Sequence, residues 1–533
     1  MMWGLHEPVA DGFCDIIHHV MALGEGLRVF QGEKTSRFDR LPSSPAHWNN
    51  FLSKDVPVIN NSSEVVRLST PEFLAHINNL AVEVIKSPNY RDSKSGYISD
   101  AAWKRLVDGG LLFSPLGERD LNRRQEEIMQ TGRILSYYDL SLGLTYGIMS
   151  ALVIMPLQRF GSEKQREKYL GKIRKGERMG LAITELNMSG STALIMRSNF
   201  TVDKDSGTVD LEFEKQFQGL SGKAGLIVVA NKNGRAGRPG LFVVDQEDIE
   251  TEITPMAGLS GIPYGINKCK KTFNLEDHLM TLLSLRDFQD IFTKSRFLFV
   301  GMTLGHQERV ESEANSLAAE KIIGGVPQGQ MDVPRNVLNK IKTRRIISEA
   351  IFNRIARYRK EGKSLLDIDT NDLVVEASAV KSLPAEYAFI SAERAGVLAG
   401  GGSYYLNSAL QNLNDIWPFR IFEGAEPMLY TQIGHDFSKG KFTANNKAEN
   451  LFDSSMMVQN LESVTETCLS AMNSKNITKV HEELMGQIAC RLFALGCLSQ
   501  NDIDLREFKR AKTMLNLEIR KLTEDYRSVE EIS

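Results

Sequence analysis

One glutamate in the stretch RIFEGAEPMLY, Arg420 to Tyr430, stands apart from its neighbours. Glu423 follows Ile421 and Phe422 and precedes Gly424. A carboxylate placed there is either a favourable charge at the start of the helix AEPMLYTQIG or a base kept partly out of water. In the second case desolvation raises its pKa toward the range useful for proton transfer. Other short signatures fail. GLSGK at 219–223 lacks the GxxxxGK[ST] spacing of a phosphate loop, and neither HExxH nor GxSxG occurs. The nine histidines form no persuasive ligand pair, His18-His19 reads as a surface pair, and no metal is expected. Cys14, Cys269, Cys468, Cys490 and Cys497 lack CxxC spacing. That argues against zinc or a disulfide framework and fits a reducing compartment.

The elements that must position Glu423 follow from length and periodicity. A chain of 533 residues suggests two to four domains or one large multi-layer unit. With 42% apolar and 25% charged residues and a net charge of −3, no basic field favours nucleic acid. No apolar run reaches the roughly 18 residues of a membrane span, and the start MMWGLHEPVADGFCDIIHHV does not read as a signal or transit peptide. The expectation is a cytoplasmic protein without a membrane span. Residues 1–65 read as a partly irregular N-terminal extension. Helical periodicity dominates 66–180, where Ser69, Thr70 and Pro71 suit a helix start. Near residue 180 the period changes: GLAITEL, GTVDLEFEKQF, GLIVVANK and GLFVVDQ are β-branched runs split by glycine, giving a β domain over 181–285. Helices return over 286–440, and 441–533 forms an extra helical tail. The fold class is therefore α+β: an N-terminal helical domain, a small central β-sandwich or barrel, a C-terminal four-helix bundle and the tail. A cleft is expected where bundle and sheet meet.

Four segments, taken in order, resemble the acyl-CoA dehydrogenase family of flavoproteins over about residues 70–435. They are GSEKQREKYLGKIRKGERMGLAITELNMSGS (161–191), KQFQGLSGKAGLIVVA (215–230), AGVLAGGGSYY (395–405) and RIFEGAEPMLY. RIFEGA followed by a helical tail looks most like the very-long-chain branch. The resemblance implies FAD as cofactor and an acyl thioester, on coenzyme A or a carrier protein, as substrate. It further implies Glu423 as the base, a homodimer, and an electron-transfer flavoprotein or another acceptor such as oxygen. It places Thr184, Ser191, Phe217, Lys321, Gly400 and Gly401 at cofactor positions, and Arg296 and Gly424 at substrate positions.

Several positions depart from the family pattern. Leu186 stands for a proline and Phe217 for a tryptophan. Gly219 stands for a threonine that hydrogen-bonds the flavin ring. Lys321 stands for an arginine, Val397 for a glutamine and Ala425 for a threonine. Asp415 matches the Asp of an Arg-Asp pair whose Arg is Asn414 here. Each lost neutral hydrogen bond is worth about 0.5–1.5 kcal/mol. Two readings stand side by side: an FAD-dependent dehydrogenase, and a catalytically degenerate binding or scaffold protein of the same fold with weak or no FAD. A flavin-dependent monooxygenase is a third, weaker one, because such relatives generally lack the glutamate.

Overall fold

The computed structural model describes residues 44–53, 56–188, 196–234, 239–404, 409–438 and 477–532. Helix α1 (Thr70–Lys86) begins where the sequence places it. Ser69 is the N-cap, and its backbone N–H donates to Glu72 at 2.8 Å in a capping box. Helix α2 (Asp100–Asp108) is capped by Ser99 and ends at Gly109, where a Cβ would sit 2.3 Å from Leu80. Helix α3 (Leu121–Tyr138) stops at Asp139, whose carboxylate accepts from the Ser141 N–H and starts α4 (Leu140–Gly147). The chain then continues through a π-helical turn, Ile148–Ile154, into Met155–Phe160.

This last stretch bears on the expectation of no membrane span. Leu140–Phe160 has a mean hydropathy of 1.8 and is long and apolar enough to cross a bilayer by composition alone. In the structure 83% of its apolar window is buried inside the protein, as expected of a core helix.

Helix α5 (Glu163–Arg174) leads into the sheet. The strands are β1 (Met179–Ala182), β2 (Asn199–Asp203), β3 (Thr208–Gly219), β4 (Gly225–Lys232), β5 (Gly240–Asp245), β6 (Glu250–Ile253), β7 (Tyr264–Asn274) and β8 (Leu279–Leu282). Their order is β6-β7-β3-β2-β4-β5-β8, with β1 parallel to β4. Only two residue pairs join β2 to β4, Asn199 to Asn231 and Phe200 to Lys232. Side chains from both limbs meet in one core that includes Phe200, Leu211, Phe213, Val228, Phe242 and Val244. Lys168 and Lys172 of α5 fasten helix to sheet through Asp245, at 2.7 and 2.8 Å.

Helix α6 (Leu285–Glu320) opens with a Ser284–Asp287 capping box and packs on α3. With α7 (Asp332–Ala356) and α8 (Val374–Ala399) it forms the body of the C-terminal half. Short α9 (Ala409–Ile416) and α10 (Glu426–Ser438) flank the Glu423 turn. Helices α11 (Lys479–Ser499) and α12 (Leu505–Ile532) form the described part of the tail. Helix α11 lies directly on α10: a Cβ at Gly434 would sit 1.7 Å from the Glu482 carbonyl, and one at Gly486 would sit 1.9 Å from the Tyr430 carbonyl.

Part of the N-terminal segment is also core. Trp48 is fully buried against Tyr137 and donates to Glu308 at 3.1 Å. His47, Glu308 and Glu349 bring ligand atoms within 4.8 Å of one another. Nη2 of Arg133 already makes the contacts a cation would make, donating to Glu308 and Glu349 at 2.5 and 2.8 Å. Burial works against the Glu308 carboxylate, but Arg133 and His47 outweigh it and hold the carboxyl at about 2. The cluster therefore reads as a buried charge network joining α3, α6 and α7. His18-His19 lies outside the described residues.

Candidate active site

Glu423 lies in a tight turn between the 3-10 segment Trp417–Arg420 and α10. Its φ is 58° and that of Gly424 is 112°, both in the left-handed region. A Cβ at Gly424 would meet Leu429 at 2.7 Å, so glycine is required there. Glu423 itself has no such excuse. A non-glycine residue held at positive φ is costly and tends to occur where its placement matters. The helix-cap reading is therefore replaced: α10 begins three residues later, at Glu426, and Arg420 ion-pairs with that residue across the turn.

The carboxylate is held asymmetrically. Ser295 of α6 donates to Oε1 at 2.5 Å, while Oε2 is buried with no hydrogen-bond partner. Burial pushes the Glu423 carboxyl up to about 7, against the opposing pull of Ser295, Arg296 and Lys381. Phe422 packs at a tilt against the rings of Phe299 and Phe419 beside the turn.

The carbonyls are fixed from behind. Arg296 Nε donates to the Glu423 carbonyl at 3.0 Å, and its Nη1 to Ser378 at 3.1 Å. Lys381 Nζ donates to the Gly424 carbonyl at 2.9 Å. Helices α6 and α8 thus supply one cation for each successive carbonyl. Arg296 and Gly424, which the resemblance puts at substrate positions, both lie at the Glu423 turn, and Arg296 contacts the backbone there. Ser295, Ser378 and Lys381 were not singled out, because their contacts span 128, 82 and 43 residues of chain. A lone lysine in the apolar run EASAVKSLPAEYAF was the available signal.

The proposed cofactor positions fall at two other places. At the end of β3 the ladder with β7 slips between Lys215 and Gln218. The slip leaves Phe217 at φ 64° and 60% exposed, an aromatic face open to a ligand. Thr184, half-buried, accepts from the Gln216 N–H at 2.9 Å through its carbonyl. Lys215 turns inward to the Ile183 carbonyl and Glu185, at 2.9 and 3.2 Å, and burial lowers its amine to about 8. Ser191 lies outside the described residues.

Gly219 has no room for the threonine of related chains. A Cβ there would meet Ile148 Cδ1 of the π-helical turn at 2.8 Å. Because the obstacle is the end of a side chain, Gly219→Thr is expected to lower stability by only about 1–2 kcal/mol. A second change, Ile148→Val, should recover part of that loss in thermal melting.

At the end of α8, Gly400 takes φ 63°, and a Cβ on Gly401 would meet nothing within 4 Å. Lys321 bends back onto the last turn of α8, donating to the Leu398 carbonyl at 3.1 Å. Asp415, at 1% exposure, accepts from the Leu259 N–H at 2.7 Å and ties the β6–β7 loop to α9.

Known proteins share the fold. The family described as acyl-CoA dehydrogenase, N-terminal domain, matches residues 71–177. The very long-chain specific acyl-CoA dehydrogenase of Macaca fascicularis is 20% identical over 327 residues, covering 58% of this chain and 48% of that protein. The isovaleryl-CoA dehydrogenase of Bos taurus is 30% identical over 162 residues, covering 28% of this chain and 35% of that protein. The chain thus spans about half, or less, of the length of the curated relatives it matches. The structure of an acyl-CoA dehydrogenase complexed with FAD from Bacillus anthracis superposes with a TM-score of 0.68 at 15% identity, covering 88% of this chain and 91% of that one. The sequence match through the N-terminal helices and the shared helix–sheet–helix fold together make this chain similar to the acyl-CoA dehydrogenases.

Proposed function

We propose that the protein is an FAD-dependent acyl-thioester dehydrogenase in which Glu423 removes the proton α to the thioester carbonyl. The observation that carries this reading is the Glu423 carboxylate itself: Oε1 anchored by Ser295, and Oε2 buried and unpartnered on a turn held at positive φ. An α-proton beside a thioester is weakly acidic. A carboxylate with a pKa near 7 is a stronger base than an ordinary one, and about half of it is ionised at neutral pH.

The positions present fit a bound flavin. Phe217 offers an exposed aromatic face, Thr184 lies beside it on the adjoining segment, and Gly400 and Gly401 leave the backbone open to close approach. FAD, when bound, supplies the acceptor for the hydride that leaves the β-carbon. This chain's own residues perform the rest. Arg296 and Lys381 fix the two carbonyls of the turn, Ser295 fixes the carboxylate, and Phe422 with Phe299 and Phe419 restricts access of water. The 2,3-enoyl thioester is the product. A homodimer, and an electron-transfer flavoprotein or oxygen as final acceptor, complete the proposal by family resemblance.

The visible absorption spectrum of the purified protein tests this. Near-stoichiometric flavin, bleached anaerobically by an acyl-CoA, is the expected result. A folded protein that stays colourless after incubation with excess FAD would overturn it. That second outcome would point instead to the non-catalytic acyl-thioester binder.

A further inference from the structure

Lys381 stands on α8 and is 1% exposed. An amine so far from water needs a partner, and its Nζ donates to the Gly424 carbonyl at 2.9 Å. The charged groups facing it are Glu423 from the turn, Glu426 from α10, Arg296 from α6 and Arg420 from the segment before the turn. Glu426 is already paired with Arg420. Arg296 touches Glu423 through its carbonyl. The Glu423 carboxylate is thus the one anion of this group without a side-chain cation in contact.

We propose that Lys381 is a positioning residue for proton abstraction, whose ammonium pins the Gly424 carbonyl, fixes the Glu423–Gly424 turn, and sets a positive charge near the Glu423 carboxylate. The proposal rests on the reading of Glu423 as the base. Burial lowers the Lys381 amine to about 7, against the opposing pull of Glu426 and Glu423. It also raises the Glu423 carboxyl to about 7. Lysine and glutamate therefore titrate in one pH range, and each charge favours the other. Without the ammonium, Glu423 holds its proton to higher pH.

The test is exchange of the α-hydrogen of a 3-thia-acyl-CoA in D2O, whose β-sulfur prevents desaturation. The step is balanced: the Glu423 carboxylate takes the proton from the α-carbon, exchanges it with solvent, and returns deuterium to the same carbon. The rate is followed by mass spectrometry from about pH 5.5 to 9, a range bracketing the expected midpoint. Lys381→Met and Lys381→Gln are each expected to move the midpoint of the rate profile up by about one unit, with a roughly tenfold loss near pH 6.5. The glutamine keeps a donor but no charge, so it also carries the test if the methionine variant fails to fold. Folded variants that lose rate equally at every pH, or keep the original midpoint, would overturn the proposal. Absence of exchange in the unaltered protein is a separate result that removes the base assignment and this inference with it.

Discussion

Glu423→Gln is expected to abolish α-proton removal, by roughly 10²- to 10⁴-fold, while leaving flavin content and fold intact. The substitution should also stabilise the protein. The sign follows from the direction of the shift: the folded-state pKa, about 7, lies above the unfolded-state value. Between the two the folded state holds a proton that the unfolded chain has released, so stability falls as pH rises through this window. Above about pH 7 the full penalty is present, and the neutral amide removes it. A gain of about 1–3 kcal/mol is expected at neutral pH, shrinking as pH falls from about 7 and gone below the unfolded pKa. Urea unfolding of both proteins at two pH values measures it. A variant no more stable than the parent at pH 7.5, or an unchanged exchange rate, would contradict the strained, desolvated base. Activity bought at the expense of stability is a familiar mark of catalytic groups.

Arg491→Leu is the second large effect, and it falls on stability alone. Arg491 of α11 is 4% exposed and donates to Glu386 of α8 and Glu518 of α12, at 2.6 and 2.8 Å. Tyr430 donates to the same Glu386 at 2.6 Å and Tyr387 to Glu518 at 2.7 Å. Removing the guanidinium leaves two partly buried carboxylates without their cation, which costs about 2–4 kcal/mol once solvent screening is allowed for. The measurement is the urea midpoint, with limited proteolysis of the tail as a second reading. Adding Glu386→Gln and Glu518→Gln to Arg491→Leu should restore part of the loss, because neutral amides tolerate the site. A loss below about 1 kcal/mol would show the network to be solvated.

What could be read from the sequence was local or periodic. The Ser69 cap, the glycine stop after α2 and the change to β-branched runs near residue 180 each depend on residues within a few positions of one another. The oddity of Glu423 was visible for the same reason: its neighbours are adjacent in the chain. What surrounds it was not. Ser295, Ser378 and Lys381 reach the turn from two other helices, and nothing in a single sequence brings those helices together. The pairing of Gly219 with Ile148 is equally non-local, so an absent side chain could be noted but not what fills its space. The Leu140–Phe160 stretch shows the limit of composition: the same apolar run suits a bilayer or a core, and only packing decides.

The contact of α10 and α11, glycine against backbone on both sides, has a consequence for how the molecule moves. Helices that touch through their main chains leave no soft layer of side chains to absorb a displacement. Helix α10 starts three residues after Glu423, so the turn and the tail should behave as one cooperative unit in hydrogen exchange, opening together rather than in sequence. The C-terminal helices then act as ballast for the base: a deletion far along the chain would be felt as looseness at residue 423.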